Sequence, residues 1–166
     1  MSKNLTLPAY GHARELQINL EKVDEAESRL HEAQAVNPGT YGELEYTFNE
    51  AYRQLKKMVS SVQYEIANIQ KTIDERKADI VLEVIPEMLK DRPKSHNNAD
   101  FRNAVFAKDE EYQKATDHLN KLKAMESHFE GKIKVMERTC AAMRKQMDLI
   151  IRAGHTPPVR NTGGER

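Results

Sequence analysis

Few side chains in this sequence have the type and spacing that chemistry requires. His118 and His128 stand ten positions apart in the same helical stretch. That is too far for two ligands of one metal ion, so they read as solvated helix-surface histidines. Glu126 is a carboxylate on an otherwise apolar stripe, a position open to proton transfer. Arg76 interrupts the matching stripe earlier in the chain, and the two read more simply as an ion pair that sets register. Cys140 is the single cysteine; it leaves no intrachain disulfide and reads as a small buried hydrophobe ahead of a reactive thiol. Glycine-rich phosphate loops, Cys-x-x-Cys pairs and His-Glu-x-x-His stretches do not occur. The residues point to no enzyme, no metal and no cofactor.

The chemistry that remains is charge. Between Lys90 and Lys108 there are five bases (Lys90, Arg92, Lys94, Arg102 and Lys108) and two acids, Asp91 and Asp100. Such a segment is either a solvated loop or a surface for nucleic-acid phosphates. Phe101 and Phe106 lie within it; they serve either as faces for stacked bases or as the buried side of a short helix. The rest of the charge is segregated. Residues 14–50 hold nine acids and three bases, residues 132–152 hold six bases and two acids, and the whole chain balances at 26 of each. If the basic end lies beside the acidic one, the segment from Lys90 to Lys108 is left as a cationic tip on a neutral protein.

Two long helices must position that tip. From Asp109 to Arg152 apolar residues recur at steps of three and four, through Leu119, Leu122, Phe129, Ile133, Met136, Cys140 and Met143, with Glu126 the polar exception. A strict 3.5-residue repeat is the mark of a helix wound on a partner. At 1.5 Å per residue such a helix is roughly 65 Å long. The partner begins near Gly42 and continues past Ile80, with Val62, Ile66, Ile69, Ile73 and Arg76 on its seam. The expected fold is all-α: a long antiparallel coiled-coil helical hairpin with an extra N-terminal helix and a short helix near the turn. Its narrow seams and 6% aromatic content predict an oligomer.

The expected boundaries follow local composition. Residues 1–11 read as a flexible arm, 12–36 as an acidic N-terminal helix, 42–153 as the hairpin, and 154–166 as a disordered tail. Asn37-Pro38-Gly39-Thr40 separates the first helix from the second, and Pro86 predicts a kink or stop. Asp100 and Asp109 are the expected N-caps of the short helix and of the last one. No run reaches the roughly 18 apolar residues of a membrane span, and no signal peptide is visible. The expected location is cytoplasmic.

Two long helices joined by a basic turn, then Val105-x-x-x-Asp109 leading into Leu119-x-x-Leu-x-x-Met-x-x-x-Phe129-x-Gly131-x-x-x-x-Met136-x-Arg138, resemble the phage recombination mediator family of UvsY. The likeness runs roughly from Phe48 to Arg152. It implies a small helical protein, a ring-like homo-oligomer that binds single-stranded DNA and helps load a recombinase onto strands covered by a single-strand-binding protein. It also implies the bacterial host cytoplasm as its place of action. The family's DNA-contacting stretch is similar to Lys-Ala-Arg near the hairpin turn; Lys77-Ala78 matches its first two residues, and Asp79 or Ile80 stands where the third base belongs. The expected nucleic-acid-binding residues are therefore Lys77, Lys90, Arg92, Lys94 and Arg102. A coiled-coil scaffold or adaptor that binds only protein partners is the alternative.

Overall fold

The structure, a computed structural model, describes residues 4–90 and 97–154. Its elements are mostly helical: strands β1 (Asn4–Leu7) and β2 (Leu16–Asn19), then helices α1 (Glu21–Ser28), α2 (Leu30–Ala33) and α3 (Tyr41–Asp79). A π-helical turn, Ile80–Val84, leads into α4 (Ile85–Met88), followed by α5 (Ala99–Lys108) and α6 (Glu110–Gly154). The chain divides into two compact units. One comprises Met1–Leu20 and Leu55–Lys132, the other Glu21–Gln54 and Ile133–Arg166. No helix among the described residues is long and apolar enough to cross a membrane.

The two long helices stand where the heptad spacing puts them. Asn37 starts α3: its side-chain oxygen accepts from the backbone N–H groups of Gly39 (2.9 Å) and Thr40 (3.2 Å), an Asx turn that orders the first donors. Asp109 starts α6, its Oδ1 accepting from the Tyr112 N–H at 2.8 Å. Pro86 neither stops nor simply bends the chain. Its ring excludes the carbonyl four residues back and it has no N–H to give, so the hydrogen-bond ladder opens into the π turn just ahead of it.

In the first unit, Leu55, Val59, Val62, Ile69 and Ile73 of α3 are buried, as are Leu119, Leu122 and Phe129 of α6. Ile66 departs from the expected seam, being only half-buried, and the carboxylate beside it, Glu65, is buried instead. Glu65 tolerates this because Oε2 accepts from the Arg14 N–H (2.8 Å) and from Asn68 Nδ2 (3.0 Å).

The N-terminal expectation needs correcting. Residues 4–19 form an antiparallel hairpin, with Leu5 opposite Ile18 and Leu7 opposite Leu16, so the ordered helix begins at Glu21 rather than His12. Two-residue alternation in Asn-Leu-Thr-Leu and Leu-Gln-Ile-Asn outweighs the looser three-four spacing of Leu16 and Leu20. Tyr10 and Ala13 close the turn with mutual backbone hydrogen bonds of 3.0 and 2.9 Å. Gly11, at φ +55°, supplies the left-handed angle at its first central position.

The second unit contains α1, α2, the start of α3 and the end of α6. The single acidic helix expected over 12–36 is broken at Arg29, whose guanidinium reaches Glu32 and Glu43. Val23, Ala26, Ala33, Val36, Leu44, Phe48 and Ala51 are buried here together with Ile133, Met136, Cys140 and Met143. Opposite charges do meet in this unit: Arg144 Nε donates to Glu45 at 3.0 Å. The tail expected to be disordered lies outside the described residues from residue 155 onward.

Candidate nucleic-acid interface

The expected cationic residues that are described lie in the first unit, on elements built around a small satellite core. Ile80, Ile85 and Val105 are its buried centre, and Val84, Leu89, Phe101, Phe106 and Tyr112 pack against it. This core exists because the π turn, α4 and α5 each bring one large apolar side chain inward. The short helix α5 is capped by Asn98, not by Asp100, with Asn98 Oδ1 accepting from the Phe101 N–H at 2.8 Å. Phe101 and Phe106 are partly buried in the core. Phe106 also tilts against Tyr112 at 5.4 Å.

Lys77 is half-buried, and its ammonium lies 5.9 Å from the centre of the Tyr112 ring, within cation–π range. Lys90 is exposed at the end of α4, 3.8 Å from the Glu87 carboxylate, a surface pair too weak to withhold it from a phosphate. Arg102 is exposed on α5, and Nε donates to Asn97 Oδ1 at 2.8 Å, which leaves its outer guanidinium nitrogens facing out of that bond. Arg92 and Lys94 lie outside the described residues.

The expected register pair is not made. Arg76 meets Asp109 through two parallel hydrogen bonds of 3.0 and 2.6 Å, with Glu111 at 3.3 Å. Glu126 instead accepts from Gln63 Nε2 at 2.7 Å. The mismatch has a geometric cause: a bidentate fork binds the carboxylate level with it, and Asp109, at the N-cap of α6, sits there. The Arg76 guanidinium holds the Asp109 carboxyl below the usual carboxylate range, and the carboxylate raises the guanidinium in turn; burial opposes both shifts. The effect is to pin the start of α6 against the end of α3.

Sequence reading missed the polar cluster where the β-turn docks. The His12 N–H donates to Thr72 Oγ1 at 2.9 Å, the His12 ring lies 2.6 Å from Glu75, and the Tyr10 hydroxyl donates to the Glu111 carbonyl at 3.2 Å. A Cβ added to Gly11 would come within 2.4 Å of the Thr72 side chain, so only glycine allows this approach. Beneath the turn lies His118, buried and stacked on Tyr10, not solvated as its helical position suggested. His128 is exposed and tilts against Phe129. Gly11 between two alternating segments was the available signal. Among the described residues no group of three or more His, Cys, Asp or Glu side chains could hold a metal ion.

Comparison with protein-family models, curated proteins and solved structures finds no match to this chain.

Proposed function

We propose that this protein is a non-enzymatic recombination mediator that binds single-stranded DNA through the basic end of a helical hairpin. The observation that carries the reading is that Lys77 lies over Tyr112 while Lys90 and Arg102 directly follow Leu89 and Phe101, three side chains that pack on the one Ile80, Ile85 and Val105 core. The connection bearing Arg92 and Lys94 joins α4 and α5. In this reading α3 and α6 form an antiparallel coiled coil. Support comes from Arg76–Asp109 and Gln63–Glu126 in the first unit and, independently, from Glu45–Arg144 and Asn49–Cys140 in the second. Copies of the hairpin assemble into a ring-like homo-oligomer in the host cytoplasm. One strand then engages several weak cationic tips at once, and the linked contacts multiply affinity.

The partners implied by the resemblance are a recombinase and a single-strand-binding protein. Binding is insensitive to base sequence, because phosphate charge and stacking do not read base edges. Fluorescence-anisotropy titration of a labelled single strand at low salt tests this. Affinity should fall steeply with added salt, with a log–log slope of about −0.7 per phosphate contact. Charge reversal at Arg92 and Lys94 together should abolish binding while light scattering shows an unchanged oligomer. Failure of the unaltered protein to bind any strand at low salt refutes the mediator reading.

The second reading, a scaffold that binds only protein, draws on exposed apolar side chains beside the same cations. Leu82 is 73% exposed, and Val81 and Met88 are also open. Exposed large apolar side chains suit a protein partner better than a phosphate backbone. Salt separates the readings, since seam-driven or apolar association lacks the counterion term.

A further inference from the structure

We propose that His118 is a proton-operated release for the β-hairpin: with its imidazole neutral the Tyr10–Ala13 turn stays docked on α3 and α6, and protonation undocks it. This device lies within the first unit and does not depend on the nucleic-acid reading.

The geometry is that of a buried base under a small lid. His118 is 7% exposed, its ring lies 5.9 Å from that of Tyr10 at an interplanar angle of 25°, and its Nε2 has no hydrogen-bond partner. A neutral imidazole can leave one nitrogen unpaired at modest cost. An imidazolium cannot, because both nitrogens then carry protons and the charge itself is cut off from water. The polar contacts that hold the lid include the Tyr10 hydroxyl bond to Glu111, the His12 N–H on Thr72, the His12 ring on Glu75 and the Arg14 N–H on Glu65, and Ala13 and Ile18 of the hairpin are buried as well. Swinging the turn outward lets water reach the ring and removes the penalty.

The charged and titratable groups facing His118 come from three elements. From the hairpin there is Tyr10, from α3 the buried Glu65, and from α6 itself Lys121. Burial first, and Lys121 with it, push His118 below the ordinary histidine value, and together they outweigh Glu65, which favours an imidazolium. The docked pKa is thus lower than the undocked one. Docking is fully stabilised above the undocked value of about 6.5 and weakens as pH falls through the docked value. His12, on the turn itself, holds its ring 2.6 Å from the Glu75 carboxylate at the surface.

Hydrogen exchange on the full chain at about pH 8 and about pH 5.5, corrected for intrinsic rates, brackets the histidine range and tests the device. Amides of residues 4–19 should lose protection several-fold at the lower pH while those around Leu122 and Phe129 keep theirs. His118→Phe, which keeps a stacked ring without a titrating nitrogen, should hold the hairpin equally at both pH values. Equal wild-type protection at both values overturns the proposal, as does an undiminished loss in His118→Phe. Should His118→Phe not fold, imidazole NMR of the wild type decides. A His118 resonance that titrates together with hairpin resonances supports the release, and one that titrates while those resonances stay still overturns it.

Discussion

Both units bury an apolar seam and carry polar pairs across their helices, but the first also buries charged and titratable side chains, where the second buries small and flexible apolar ones. Arg76–Asp109, Gln63–Glu126, the buried Glu65 and the buried His118 all belong to the first. In the second, three alanines and two methionines are buried with Cys140 and Phe48, beside Val23, Val36, Leu44 and Ile133. Thr47, buried there, satisfies itself on the Glu43 carbonyl of its own helix at 3.0 Å. Polar pairs accept only one alignment, because a shift leaves a buried group unmet. Methionine and alanine accept several, since they adapt to whatever surface they face. The contrast teaches that buried polar groups constrain register in the first unit, while in the second the charged pair across the helices, Glu45–Arg144, lies at the surface.

The largest expected effect tests what the units share. Ile69→Asp in the first and Ile133→Asp in the second each place an unpaired charge among buried side chains, and each should cost about 4 kcal/mol or more in a urea titration. A loss below 1 kcal/mol at either site would show that its burial is not maintained in solution.

Next comes the polar alignment. Arg76→Ala leaves Asp109 with most of its side chain covered (14% exposed) and no cation, and should cost about 2–4 kcal/mol. The double variant with Asp109→Asn should recover part of that loss. Because Arg76 holds the Asp109 carboxyl low, the pair's contribution is complete above the unfolded carboxylate value of about 3.9 and is lost as pH falls through the lower folded value. Acid unfolding of Arg76→Ala should therefore begin at higher pH than in the wild type. No equivalent change at Met143 should alter the acid transition.

Smaller effects should stay local. Gly11→Ala forces a side chain into the left-handed region and against Thr72, and should destabilise the hairpin by about 1–2 kcal/mol, seen as faster exchange over residues 4–19. Gln63→Ala removes one exposed hydrogen bond to Glu126 and should cost about 0.5 kcal/mol in the same urea titration.

The two long helices were legible because a repeat sustained over many turns, as through Leu119, Leu122, Phe129, Ile133 and Met136, overwhelms local exceptions. The strands were not. Four-residue segments carry only two apolar positions each, and Leu16 and Leu20 fitted a helix as well as Leu16 and Ile18 fitted a strand. Partners across the helices were not legible either: Arg76 and Glu126 share a seam on paper, but the alignment that decides between Glu126 and Asp109 is set by three-dimensional fit. His118 defied its helical position because what covers it, Tyr10, arrives from more than a hundred residues away. Among the cations, sequence marked Lys90 and Arg102 as surface groups, which they are, and gave no sign that Lys77 rests against Tyr112.

The π turn also resets the angular phase of the chain. Residues five apart in an α-helix point roughly 140° away from each other. Ile80 and Ile85 are five apart and both are buried in one small core, because a wider turn brings the fifth residue back toward the first. Everything after Val84 is thus one step out of time with the seam of α3. Counting heptads straight through would assign α4 the wrong inward face, and it leaves Val81 and Leu82 turned outward in the slip. Deleting a single residue between Ile80 and Ile85 should let the π turn close into an ordinary α-helix and keep Ile85 in its core, because residues four apart in an α-helix lie only about 40° apart.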